Sequence, residues 1–229
     1  MGRRALATVR RGFTLLEAAL ATVIIGVGVL ALIESHQAFL RANDWSTHTA
    51  TATYLANEVR EYMRGLPRHD PVTGLYIDNT NTLQGWGPDA GEVLLADFDD
   101  VDDFDGPASA GLLISWDGTP GMVDNDLPGP IDASGQVIPE ILANGDVMLD
   151  EVFGLPAALQ GWSQFVRVEK LFPFDTAQVV ADDALIPPDA TFDGVGVDGF
   201  PLRVSVTVRY QGRNMTAPTD VATVVWVVP

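Results

Sequence analysis

Residues 13–33 read FTLLEAALATVIIGVGVLALI, from Phe13 to Ile33, with a single charge at Glu17. A helix of that length rises about 30 Å, enough to cross the hydrocarbon core of a bilayer. Ahead of it stand Arg3, Arg4, Arg10 and Arg11, and the first 12 residues hold no acid. By the positive-inside rule this basic leader stays cytoplasmic and the remainder is exported. An ordinary secretory signal shares that charge pattern, but no small-x-small cleavage site stands just after Ile33. A carboxylate in an apolar span costs on the order of 3 kcal/mol at the bilayer centre and less near its edge. Glu17 therefore calls for a partner.

Beyond Ile33 the helical pattern continues. Residues 34–64 contain neither Pro nor Gly, and Gly65 and Pro67 supply the stop. Leu55, Val59, Tyr62, Met63 and Leu66 recur on one helical face, which is expected to pack on a head domain. One helix over residues 13–64 would span roughly 80 Å. Gly26 and Gly28 are its weak points, and polar Asn43, Asp44, Ser46, Thr47, His48 and Thr49 allow a bend. His36 and His48 read as solvated or packed side chains. Trp45 is expected at the membrane–water interface or in a subunit contact.

From residue 70 the texture changes to short apolar stretches among Gly, Pro, Asp and Asn. These are Glu92–Phe98, Gly111–Trp116, Phe165–Leu171, Leu202–Tyr210 and Val221–Val228. In the fourth, Val204, Val206, Val208 and Tyr210 alternate with Arg203, Ser205, Thr207 and Arg209, the mark of a half-buried strand. Val221–Val228 is nearly all apolar and is expected to be more buried, paired antiparallel with the fourth stretch. Residues 117–156 read as a long loop. The fold class expected is α+β, a long N-terminal helix packed on an antiparallel sheet.

The 229 residues carry a net charge of −18, unevenly spread. Residues 1–68 hold eight Arg against five acids, whereas residues 69–229 hold five basic and 26 acidic groups. An acidic body argues against nucleic acid as a partner, since such binding rests on Lys and Arg. The absence of cysteine excludes a disulfide scaffold and a thiolate site, and the three His disfavour a His-rich metal centre. No G-x-x-x-x-G-K-[ST] loop is present, so the chain is no P-loop ATPase.

One segment remains chemically distinctive. Residues 97–105 read DFDDVDDFD, six Asp in nine positions, followed by Gly106. Asp99, Asp100, Asp102, Asp103 and Asp105 offer the oxygen ligands that Ca²⁺ prefers, and a cation would relieve their mutual repulsion. The spacing is not that of an EF-hand, because Val101 and Leu112 occupy its first and twelfth ligand positions. A solvated acidic loop with Phe98, Val101 and Phe104 tucked beneath is the alternative reading. No cofactor other than this cation is implied, and nothing points to glycosidase use of two of the acids.

Arg11-Gly12-Phe13-Thr14-Leu15-Leu16-Glu17 resembles the type III prepilin signal of type IV pilins, minor pilins and type II secretion pseudopilins. The likeness covers residues 10–33. It implies a pilin-like fold and a cytoplasmic leader, residues 1–12, cut between Gly12 and Phe13 by a membrane-embedded prepilin peptidase. N-methylation of the new terminus at Phe13 would follow. It further implies a membrane and polymerisation helix over 13–33, an amphipathic continuation over 34–66 and an exported head over 67–229. Glu17 would pair with the Phe13 amine of a neighbouring subunit during assembly. The partners implied are other pilin or pseudopilin subunits, the peptidase and an inner-membrane assembly platform. The place implied is a bacterial inner membrane as a single-pass protein, then an extracytoplasmic filament. The chain then reads as a structural subunit rather than an enzyme, with a minor pilin first. A type II secretion pseudopilin and a filament-tip adhesin are alternatives. A membrane-anchored enzyme is the last alternative and would retain function with Glu17→Ala.

Overall fold

A computed structural model describes residues 14–119, 121, 125–150 and 154–229. Helix α1 runs Leu15–Met63. Thr14 opens it: its Oγ1 accepts the Glu17 backbone N–H at 3.3 Å, filling one of the donors that a helix start leaves unpaired. Gly26, Gly28 and the polar stretch 43–49 all lie inside α1, so none of them ends it. The Thr47 and Thr53 hydroxyls donate to the carbonyls of Asn43 and Thr49, at 3.0 and 2.8 Å. This turns their polarity back onto the helix itself. Met63 is the last helical residue, just ahead of Gly65 and Pro67.

The chain divides into two units between Thr47 and His48. In the first, every described side chain is exposed except Ala21, which is intermediate. Its most apolar 18-residue window has a mean hydropathy of 2.4 with none of it buried. Among the described residues α1 is the one helix long and apolar enough to cross a membrane.

The second unit combines residues 48–63 of α1 with two sheets. Strands β1 (Tyr76–Ile77) and β2 (Leu83–Gln84) form a small antiparallel ribbon. The larger sheet contains β3 (Leu112–Ser115), β4 (Asp126–Pro128), β5 (Trp162–Phe172), β6 (Asp175–Val179), β7 (Leu202–Tyr210) and β8 (Thr219–Val228). Its order is β4-β3-β5-β7-β8, with β6 paired to the end of β5. The fold class is α+β. The sheet is mixed rather than antiparallel throughout, because β3 and β4 run parallel while the other pairs are antiparallel. Alternation in a sequence identifies a strand but not the direction of its neighbour, and β4 is too short to show alternation. It lies inside the stretch read as loop.

The expected helical face is the buried one: Leu55, Val59 and Met63 join Ala52 and Ala56 in the core, with Tyr62 and Leu66 partly buried around it. Val204, Val206 and Val208 of β7 and Val166 and Val168 of β5 belong to the same core. Each such side chain contributes roughly 1.5–3 kcal/mol by leaving water. The outer face of the sheet carries cross-strand pairs. Arg203 meets Glu169 at 2.7 Å, Arg209 meets Asp220 at 2.9 Å, and Thr207 meets Thr223 at 3.0 Å.

Gln164 ties the layers together at the centre. It is fully buried, donates from Nε2 to Leu55 O of α1 and Ile131 O, and accepts the Ile131 N–H at 2.8 Å. Strand β8 corrects an expectation. It is an edge strand, so Val224, Trp226 and Val228 are half-buried while Val225 and Val227 stay 53% and 46% exposed. Continuous apolarity there does not mean burial on two faces. The short apolar stretch Glu92–Phe98 holds a 3-10 turn over Leu95–Asp97.

Candidate functional site

Two regions carry the residues singled out by the sequence. Gly12 and Phe13 lie outside the described residues. Glu17 is exposed in the first turn of α1. It stands three residues after Thr14, and its backbone N–H is the one Thr14 caps. This N-cap is legible in the sequence as Thr followed three residues later by Glu.

The acidic run builds a different kind of site, within the second unit. Phe98, Val101 and Phe104 are buried in the core, with Phe104 in edge contact with Phe98 at 5.3 Å and Tyr62 at 6.0 Å. The Val101 N–H donates to Pro67 O at 2.9 Å, fastening the segment beside the end of α1. With the apolar residues anchored, a 3-10 turn over Asp102–Asp105 carries the carboxylates inward as well. Asp100, Asp102, Asp103 and Asp105 are all at most 2% exposed. The solvated loop of the alternative reading is therefore not what forms; of the five acids singled out, Asp99 alone is exposed.

The turn is self-bracing. Asp100 Oδ1 accepts the N–H groups of Asp102 and Asp103 at 2.8 and 3.1 Å. Asp103 Oδ2 accepts those of Asp99 and Asp100 at 3.0 and 3.2 Å. Asp105 is used otherwise: its Oδ1 accepts Val168 N–H of β5 and its Oδ2 accepts Trp86 Nε1–H, at 3.2 and 3.3 Å. Carboxylate oxygens of Asp100, Asp102 and Asp103 lie within 4.8 Å of one another. A second set, nearer solvent, joins Glu92 and Asp99 to the same Asp103. Three of the five predicted ligands therefore converge, Asp99 stands at the rim, and Asp105 is a structural acceptor.

The sequence reading missed His69 and Lys170. His69 Nδ1 stands 2.7 Å from Asp102 Oδ2, with both side chains at most 7% exposed. Burial drops the His69 pKa to about 4, so the ring is neutral at pH 7 and its Nδ1–H donates to the carboxylate. Among the described residues, no hydrogen-bond partner reaches the buried His69 Nε2 or Asp102 Oδ1. Lys170 is also fully buried. Its ammonium donates to Val197 O at 2.9 Å and to Asp182 O, and sits 5.2 Å from the Trp86 ring centre. Burial lowers its pKa to about 8.

Burial also dominates the carboxyls. It pushes Asp100 up to about 9, Asp103 to about 8, Asp102 to about 7 and Asp105 to about 6. The neighbouring Asp102 adds to the rise at Asp100, and Asp100 adds to that at Asp103. Chemically the arrangement is a set of hard oxygen donors that must share either protons or a cation. Comparison with protein-family models, characterised proteins and solved structures finds no match for this chain.

Proposed function

We propose that the chain is a prepilin-like structural subunit, cut after Gly12 and assembled into a type IV pilus-type filament through its N-terminal helix. The observation that carries this reading is Gly12-Phe13-Thr14-Leu15-Leu16-Glu17 at the head of a 21-residue apolar run behind four Arg. The exposure of side chains from Leu15 to Ile33 supports it, since a helix this apolar needs lipid or other helices as its surroundings. Glu17 supplies the charge that pairs with a neighbour's Phe13 amine, a contact strongly favoured where the dielectric is low. The α+β head, with part of α1 against its sheet, agrees with a pilin-like subunit. The large head, residues 67–229, puts a minor pilin first, with a type II secretion pseudopilin and a filament-tip adhesin as the alternatives. The protein would pass through the inner membrane to an extracytoplasmic position.

Incorporation of the Glu17→Ala variant tests the assembly role. The variant should be cleaved normally yet fall at least about tenfold in sheared filament fractions while accumulating in the membrane, an effect on the order of 1.4 kcal/mol or more. Normal incorporation would remove Glu17 from the mechanism.

A further inference from the structure

We propose that Asp100, Asp102 and Asp103 hold one hard divalent cation, Ca²⁺ in the first place, as a structural ion of the head. The inference goes beyond filament assembly and does not depend on how the N-terminus is processed.

Geometry is the first argument. Oxygens bound to one Ca²⁺ at about 2.3–2.6 Å can lie no more than about 5 Å apart. Carboxylate oxygens of the three aspartates meet that limit together. The set is all oxygen, which suits Ca²⁺ or Mg²⁺ rather than Zn²⁺.

The second argument is independent of the clustering. Asp102 is completely buried, and only one of its oxygens is matched. Oδ2 meets His69, while among the described residues no N–H or hydroxyl reaches Oδ1, which leaves a cation or a proton shared with Asp100 to match it. A buried acceptor without a donor is costly, and buried carboxylates are normally paired or on a metal. Charge pairing within the protein does not fill the gap. Among the described residues no ion pair reaches Asp100 or Asp103, and the contact to Asp102 comes from the His69 ring alone. Lys170 acts on Asp102 through space, but its ammonium donates to the Val197 and Asp182 carbonyls.

The neighbouring groups then take definite roles. Hydrogen bonds from the turn's own N–H groups hold Asp100 Oδ1 and Asp103 Oδ2, fixing both carboxylates before any ion arrives. His69 orients Asp102 from behind, as outer partners of metal-binding carboxylates do. Glu92 and Asp99 share Asp103 and lie nearer solvent, forming the side from which an ion would enter.

The test uses the full chain in detergent, stripped with EDTA and titrated with CaCl₂ and, separately, MgCl₂ by calorimetry. One equivalent of Ca²⁺ is expected to bind. The thermal midpoint should rise by about 5–10 °C at a hundredfold excess over Kd. Asp102→Asn and Asp103→Asn should each weaken binding at least tenfold, whereas Asp146→Asn, in an exposed turn, should bind as the unaltered chain does. Terbium luminescence of the unaltered chain, excited through tryptophan and displaced by Ca²⁺, gives a readout that does not depend on the variants folding. No binding heat and the same midpoint in Ca²⁺ and EDTA would overturn the proposal and leave shared protons as the occupant. Unchanged binding by folded Asp102→Asn and Asp103→Asn would equally overturn it, placing the ion elsewhere on the acidic surface.

Discussion

Asp100 receives two backbone N–H groups on Oδ1, and burial still holds its carboxyl up to about 9. A carboxyl whose folded pKa lies above its unfolded value keeps a proton that the unfolded chain has released. Its stabilising contribution is complete below about pH 4 and is lost as pH rises through the folded value. Asp102, Asp103 and Asp105, raised to about 7, 8 and 6, act in the same direction. His69 opposes them: with its pKa lowered to about 4, its contribution is present above about pH 6.5 and lost as pH falls toward 4. Lys170, lowered to about 8, opposes them too, but only as pH climbs above that value. In EDTA, the thermal midpoint of the full chain should therefore fall as pH rises from 6.5 to 8, where the carboxyls titrate and neither His69 nor Lys170 offsets them. Asp100→Asn keeps the accepting oxygen and removes the charge, so it should raise the midpoint at pH 8.5 in EDTA and flatten the profile. A midpoint that climbs over this range would show that these acids are already ionised and paired in the fold. Little of this was legible in the sequence. Six Asp in nine positions announced oxygen chemistry, but the same letters describe a solvated loop. The burial of Phe98, Val101 and Phe104, together with distant His69, turns four of those acids inward.

Among the elements, α1 and β7 were the most readable, since each carries its own period. The Leu55–Val59–Met63 face and the Val204–Val206–Val208 alternation both end in the core. Strand β8 was misread because an apolar run has no period to report which face is covered, and its edge position depends on where β7 and β5 lie. The parallel β3–β4 pair was out of reach for a related reason, as three residues ending in Pro128 give no pattern. Two substitutions measure the difference between edge and centre. Val225→Lys, on the exposed side of β8, should change stability by no more than about 0.5 kcal/mol. Leu202→Ala, fully buried in β7, should cost about 2–5 kcal/mol in urea unfolding. Similar costs at the two positions would contradict the strand order. Gln164→Leu is a third probe, aimed at the junction of α1, β5 and the Ile131 loop. It leaves the Ile131 N–H unpaired, at about 1–3 kcal/mol for such a buried group, and should lower the urea midpoint accordingly.

In the whole molecule, an apolar, exposed helix is followed in the chain by an acidic α+β head that the proposed function puts outside the cytoplasm. The charge division agrees with that direction of export, four Arg ahead of the apolar run and an excess of 21 acidic charges after residue 68. The central claim is that the N-terminus is processed as a prepilin. Intact mass and N-terminal sequencing of the membrane-extracted protein test it most directly, from cells with and without the prepilin peptidase. With the peptidase, the chain should begin at Phe13 and be heavier by one methyl group than its unmodified mass. Without the peptidase, it should keep Met1 or the residue after it. A chain that keeps its leader in both cells, or is cut beyond Ile33 into a soluble domain, would contradict the account.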